Sequence, residues 1–359
     1  MKLALVHDYL NQRGGAERVF AHIARAYPDA PVYTALYDAA KTGDLVAPSR
    51  VRTSYLAKIP GANRYFRYFA PLYPRAFEHF DFSAYDTIVS STTSWAKGVI
   101  VPRDAVHVCY INTVSRFLFN YDAYVGGLGV RALAQPLIRG LVEWDKRAAQ
   151  LPTRFVANSR NVAERIKRYY GRDSLVLHAP VDIDRFSVGP GRGDYFFIAS
   201  RLLPYKRIDV AIRAANAARV RLLVAGTGPA QEELRALAEG TTTTMLGFVS
   251  DERMNELLGN ARAAILPGEE DYGLVPLEAA ACGRPTIALR KGGALETVVE
   301  AETGEFFDDQ TPESLAGVLS AFDERRYDAQ RLRAHALNFA PDRFIERLRA
   351  IVEQTRAAR

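Results

Sequence analysis

Apolar residues come in short runs along this chain. Each run is closed by a polar or glycine-bearing break and followed by a stretch that reads as a helix. In the first half the runs are residues 2–7, 31–36, 86–91, 105–112, 154–159 and 174–181. In the second half they are 195–200, 221–226, 243–246, 263–266 and 285–289. Short runs without polar alternation suit strands buried on both faces. Helices are expected from Ala16, from Val162 behind a cap at Asn158-Ser159, over 140–149, and from Arg207, Pro229, Asp251 and Val275. The chain after Pro312 reads as helical, and Pro341-Asp342-Arg343-Phe344 begins a last amphipathic helix. Strands alternating with helices predict an α/β fold with parallel sheets and right-handed crossovers.

A chain of 359 residues with 48% hydrophobic content is comfortable for two domains with full cores. Gly189-Pro190-Gly191-Arg192-Gly193 has linker composition and follows Val181–Phe186. The expected boundary therefore lies between a first domain, 1–187, and a second, 188–340. The net charge of +6 and a pI near 9.2 suit an anionic partner. Cys109 and Cys282 sit in apolar segments far apart and read as buried thiols of a reducing compartment. Asp8 interrupts the apolar start, so no signal peptide is expected, and no apolar run reaches the ~18 residues of a membrane span.

Charged residues change the picture at three places. Residues 263–266 form an apolar run followed by the loop Gly268-Glu269-Glu270-Asp271-Tyr272-Gly273-Leu274. Next comes an apolar helix with Pro276 in its first turn and Gly283 at its end. Glu270 in the loop and Glu278 in the helix are separated by seven residues. Carboxylates accept hydrogen bonds from sugar hydroxyls, each contributing roughly 1.5–3 kcal/mol. The same pair also suits a solvated loop residue and a helix residue bonded to an arginine.

Arg201 and Lys206 stand just beyond the run 195–200, where a helix begins. A cation is unfavourable at a helix N-terminus unless an anion is bound there, and a fork with a point charge suits a diphosphate. A solvated basic turn is the plainer alternative. Gly14-Gly15, Gly226-Thr227-Gly228-Pro229, Gly247-Phe248-Val249 and Gly292-Gly293 each read as turns at the ends of strands. Gly14-Gly15 is expected to allow φ > 0 and close backbone approach.

The third place is the segment from Arg50 to His79. It holds six Arg or Lys residues and one acid, Glu78, interleaved with Tyr55, Tyr65, Phe66, Tyr68, Phe69, Tyr73 and Phe77. Basic and aromatic residues on short helices suit an interface with anionic lipid, with Arg64, Arg67 and Tyr68 as candidates. An amphipathic segment whose aromatics belong to the core has the same composition. No nucleic-acid motif accompanies it.

Glu270, Tyr272-Gly273 and Glu278 resemble the hallmark of the family 4 retaining glycosyltransferases, in which two Glu are separated by seven residues and the first is followed by an aromatic-Gly pair. Arg201–Arg207 (RLLPYKR) and Gly14–Arg18 (GGAER) extend the likeness through nearly the whole chain. The wording PGEEDYG at 267–273 and KGGALETV at 291–298 is similar to the GDP-mannose-dependent mannosyltransferases of bacterial O-antigen, capsule and exopolysaccharide synthesis. The resemblance implies a GT-B fold, with two Rossmann-like doubly wound domains facing a cleft. The first would bind the acceptor and be completed by the helix 341–359. The second would bind the sugar nucleotide.

Roles follow by position. Gly15 approaches the donor phosphates, and Arg201 and Lys206 neutralise the leaving diphosphate. Phe248 and Val249 meet the base. Glu270, with Tyr272, Gly273 and Leu274, holds the sugar, and Glu278 holds the ribose. Gly292-Gly293 touch the sugar or phosphate. The acceptor hydroxyl attacks from the leaving-group face, and a phosphate oxygen takes its proton. Asn112-Thr113-Val114-Ser115-Arg116 stands where the branch commonly has His-Thr-Pro-Met-Arg. Asn112 can hydrogen-bond as that histidine does but carries no proton at neutral pH. It is also placed to cap the following helix. Arg116 matches the family arginine near the acceptor.

No Asp-x-Asp motif stands where a divalent ion would be held to a diphosphate, so neither metal nor cofactor is expected. The expected partners are a sugar nucleotide (GDP-mannose, with a UDP-sugar as the alternative), a lipid-linked glycan and the inner face of the cytoplasmic membrane, touched by a cytoplasmic protein. An epimerase or phosphorylase of the same architecture, or a non-catalytic subunit, would share these features without the transfer.

Overall fold

A computed structural model of the chain describes residues 1–119, 128–191 and 193–359, without the side chains of 128–134. Arg192 of the expected linker lies outside the described residues. The chain forms two compact units, Met1–Ala179 with Asp342–Arg359, and Pro180–Pro341. The division precedes the expected 187/188 boundary because residues 181–186 are bonded into the second unit. The Val181 N–H donates to the Phe339 carbonyl at 3.0 Å, and Arg333 donates to the Phe186 carbonyl at 2.9 Å.

In the first unit the strands are β1 (Leu3–His7), β2 (Val32–Thr34), β3 (Val51–Thr53), β4 (Thr87–Thr92), β5 (Val106–Ile111), β6 (Arg154–Ala157) and β7 (Ser174–Val176). All pair in parallel, in the order β3-β2-β1-β4-β5-β6-β7. Every residue of β1, β4 and β5 is buried. β7 ends at Val176, earlier than the run 174–181 suggests, and β3 is an edge strand with no apolar run to announce it. Ala4, Val6 and Ile88 pack with Tyr73, Phe77, Trp95 and Trp144. Cys109, Ile111, Phe155 and Ala157 pack with Val162 and Ile166 of the helix Arg160–Tyr170. That helix is capped as expected, with Ser159 Oγ accepting from the Val162 N–H at 3.0 Å.

The second unit has β8 (Tyr195–Ala199), β9 (Arg221–Ala225), β10 (Thr243–Gly247), β11 (Ala264–Leu266), β12 (Thr286–Leu289) and β13 (Gly304–Phe307). They are parallel in the order β10-β9-β8-β11-β12-β13. β13 is absent from the sequence reading because it opens with Gly304-Glu305. One face of the sheet packs on Ile208, Ile212, Leu315 and Leu319, and the other gathers Leu266, Ala288, Val298 and Phe306. Both thiols are buried, which pushes Cys109 and Cys282 up to about 12.

The helix Pro341–Ala357 completes the first unit. Phe344, Leu348 and Val352 recur every four residues and are all buried. Phe344 meets the Tyr110 ring edge-on at 5.5 Å between centroids. Arg349 Nε donates to the Ala26 carbonyl at 3.0 Å, satisfying the end of the helix Gly15–Ala26.

Strand order reverses between β1 and β4 in the first unit and between β8 and β11 in the second. Carboxyl ends beside such a reversal are where open parallel sheets bind ligands. In the first unit the protein fills this place itself. The buried Asp8 carboxylate accepts from the backbone N–H groups of Thr93, Ser94, Trp95 and Ala96 and from the hydroxyls of Thr92 and Thr93, at 2.6–3.0 Å.

Both tryptophans, Trp95 and Trp144, lie in the first unit, so their fluorescence reports its unfolding alone. Leu348→Ala is expected to lower that unit's stability by about 2–5 kcal/mol, read as an earlier urea midpoint in tryptophan emission. An unmoved midpoint would show that the last helix does not support the first unit.

Candidate functional site

At the reversal in the second unit, the chain leaving β8 runs through Arg201 into the turn Pro204–Lys206. The chain leaving β11 enters the loop 267–274. Lys206 Nζ and the Glu270 carboxylate form an ion pair there, and their side chains are 17% and 14% exposed. The structure therefore brings together two residues that the sequence offers separately. Arg201 is exposed on the same connection.

Backbone contacts fix both partners. A Cβ at Gly268 would lie 2.8 Å from the carbonyl oxygens of both Tyr205 and Lys206, so the absence of a side chain lets the turn approach the loop. Arg207 adopts φ 53°, a left-handed conformation that costs about 1–2 kcal/mol outside glycine. It turns the chain from Lys206 into the helix Ile208–Ala217, and its guanidinium holds Asp209 through two bonds of 3.0 Å. On the other side, the Gly293 N–H donates to the Glu270 carbonyl at 2.9 Å, and Glu270 bridges to Gly292. A Cβ at Gly293 would meet Tyr272 Cα at 2.3 Å. Tyr272 is buried, and desolvation followed by nearby Glu296 holds its hydroxyl protonated well above the usual range. Gly273 has φ 84°, and Leu274 stands directly before the helix Val275–Ala281, which has Pro276 in its first turn. Glu278 is half-buried on that helix, which ends before Gly283 at φ 71°. At the edge of the same sheet, Phe248 is 82% exposed and follows Gly247, with Val249 half-buried.

In the first unit Gly14 is extended at φ −130°, and neither Gly14 nor Gly15 has positive φ, contrary to the expectation for this pair. What Gly14 provides is room: a Cβ there would lie 2.6 Å from Glu17 Oε2. Gly15, exposed, opens the helix. Asn112 is buried, and it does not cap the next helix. Its Nδ2 donates to Ser91 Oγ at 2.9 Å and to the Thr92 carbonyl at 3.3 Å, tying the end of β5 to that of β4.

Close to it is a group that sequence reasoning missed. Asp145 is fully buried and accepts from Lys97 at 2.5 Å, Ser115 Oγ at 2.8 Å and the Tyr170 hydroxyl at 2.7 Å. Lys97 is equally buried. The signal was a lone lysine in the apolar stretch 95–101. The network holds the loop that carries Asn112, Thr113 and the half-buried Arg116.

The basic aromatic segment divides in two. Tyr73 and Phe77 are core, with Phe66 and Phe69 packed against it. Tyr65 and Tyr68 are 50% and 84% exposed, and Arg64 and Arg67 lie over the rings of Tyr65 and Phe66. Among the described residues no helix is long and apolar enough to cross a membrane, and no cluster of three or more His, Cys, Asp or Glu is placed to hold a metal ion.

Residues 13–185 match the family described as Glycosyltransferase Family 4, and residues 181–338 match Glycosyl transferases group 1. A D-inositol 3-phosphate glycosyltransferase of Geodermatophilus obscurus is 29% identical over 71% of this chain and 63% of its own length. A GDP-mannose-dependent alpha-(1-6)-phosphatidylinositol monomannoside mannosyltransferase of Mycolicibacterium smegmatis is 31% identical over 52% of this chain and 60% of its own. The chain thus spans less than two thirds of these relatives. Among solved structures, Anabaena HepE in complex with UDP-glucose superposes with a TM-score of 0.72 at 20% identity, covering 98% of this chain and 99% of that one. Sucrose-phosphate synthase from Thermosynechococcus elongatus gives 0.74 at 16%, covering 99% of each.

Gly268→Ala should push the 205–206 turn away from the loop while leaving the sheet intact. On the reading that this loop binds a nucleoside diphosphate, the expected result is a loss of its affinity of about tenfold or more, by calorimetry, with an unchanged far-ultraviolet circular dichroism spectrum. Undiminished affinity would separate the turn from the binding site.

Proposed function

We infer what this chain does from the family it belongs to, the family 4 glycosyltransferases of the GT-B fold: it moves a hexose from a sugar nucleotide to an acceptor hydroxyl with retention at the anomeric carbon. The observation that carries this reading is the meeting of Lys206 and Glu270 at the strand reversal of the second unit, with Arg201 on the same connection. Cations there suit a diphosphate, and the carboxylate beside them suits sugar hydroxyls.

In this reading Arg201 and Lys206 take up charge as the bond between the anomeric carbon and the diphosphate oxygen breaks. Glu270 fixes the hexose through its hydroxyls, and Glu278 holds the ribose. Phe248 and Val249 lie along the base. The acceptor oxygen bonds to the anomeric carbon on the same face, and its proton passes to the departing phosphate oxygen. Catalysis is positioning and charge stabilisation, with no metal assigned a part.

GDP-mannose is the favoured donor, supported by the wording of 267–273 and by the name of the M. smegmatis relative. A lipid-carried acceptor fits the exposed Tyr65 and Tyr68 beside Arg64 and Arg67, which suit the surface of an anionic membrane, with Arg116 toward the acceptor.

Titration of the purified protein with GDP, UDP and ADP tests the donor. Tight GDP binding alone supports the mannosyl reading, whereas UDP binding transfers it to a UDP-sugar. Glu270→Ala is expected to lower transfer by about two orders of magnitude or more with folding preserved, and full activity would remove Glu270 from the site. Replacing Arg64 and Arg67 together by Glu should weaken binding to phosphatidylglycerol vesicles by at least ~tenfold. Equal binding would end the membrane assignment.

A further inference from the structure

We propose that Lys206 and Glu270 neutralise each other until a donor binds and are parted in full only by an intact sugar nucleotide, so that the pair favours the complete donor and expels the spent nucleoside diphosphate. This rests on the sugar-nucleotide reading of the pocket. Both side chains are more than four-fifths buried, so neither gives up its partner without cost. A diphosphate competes for Lys206 and offers Glu270 only repulsion. A hexose diphosphate ester competes for Lys206 and, through its hydroxyls, replaces the ammonium on Glu270.

Transfer reverses the balance. The bond between the anomeric carbon and the phosphate oxygen breaks, and the bond to the acceptor oxygen forms. The acceptor's proton goes to the phosphate, and the hexose leaves with the acceptor. Glu270 then loses its hydroxyl donors while Lys206 is still on the diphosphate, and re-forming the ion pair displaces the product. The backbone is built for repeated exchange. The Gly293 bond fixes Glu270 on one side, and Gly268 fixes the turn of Lys206 on the other, so side-chain rotation suffices.

The test uses the full chain with Glu270→Gln and Glu270→Asp, titrated with GDP and UDP by calorimetry and followed by stopped flow for release. Glutamine removes the charge. Aspartate keeps the charge but shortens its reach to Lys206. Both variants are expected to bind the nucleoside diphosphate roughly tenfold more tightly than the native protein and to release it more slowly, while transferring sugar poorly. Unchanged or weaker binding in both would overturn the proposal. Tightening in the glutamine variant alone would also overturn it, because simple repulsion between Glu270 and the phosphates would then suffice. If the native protein binds neither nucleotide, the sugar-nucleotide reading fails and the exchange fails with it. If the native protein binds and the variants gain nothing, the exchange alone fails. Circular dichroism and urea midpoints equal to the native ones identify folded variants.

Discussion

A parallel sheet whose strand order turns back on itself leaves carboxyl ends beside the turn that diverge, with their crossovers leading to opposite sides. That constraint operates twice in this chain and is met in two ways. In the first unit, Asp8 at the end of β1 reaches the backbone donors that follow β4 and satisfies them internally. In the second, Lys206 after β8 and Glu270 after β11 meet as opposite charges. A carboxylate among four N–H groups is a finished arrangement. The Lys206–Glu270 pair, made of two side chains and no backbone donor, is the one for which exchange with a ligand is proposed.

The second arrangement depends on backbone that only small residues permit. Gly226 and Gly228 lie where a Cβ would come within 1.8 Å of the Ser200 carbonyl and 2.3 Å of the Leu202 carbonyl, so the connection bearing Arg201 is packed between main chains. Gly268 and Gly293 do the same for the Lys206 turn and the Glu270 loop. Arg207 carries the strain of the turn and recovers part of it through Asp209. Closely packed main chain holding two oppositely charged side chains in contact is the physical content of the site.

Much of this was legible in the sequence, for reasons that also mark where legibility ends. Buried parallel strands need unbroken apolar runs, so β1, β4, β5, β8 and β9 are found within a residue or so. β3 and β13 have no such run and depend on neighbours to pair with. Glu270, Arg201 and Lys206 stood out as charges at strand ends, but the pairing of Lys206 with Glu270 is a tertiary fact, the two lying 64 positions apart. Asp8 registered only as an interruption of the apolar start, and Asp145 only as a residue of a helix. Both are buried acceptors whose donors come from distant segments. Asn112 also suggested a cap, yet its amide nitrogen instead joins the ends of two strands.

The return of Asp342–Arg359 to the first unit makes the second unit an insertion within it. During synthesis all of Pro180–Pro341 is made before the helix that covers Tyr110 and receives the end of the helix Gly15–Ala26 through Arg349. The usual order, in which the amino-terminal domain finishes first, is therefore inverted. The second unit can close on its own residues while the first still exposes the apolar groove for Phe344, Leu348 and Val352. On the ribosome, the unit begun first is the one completed last.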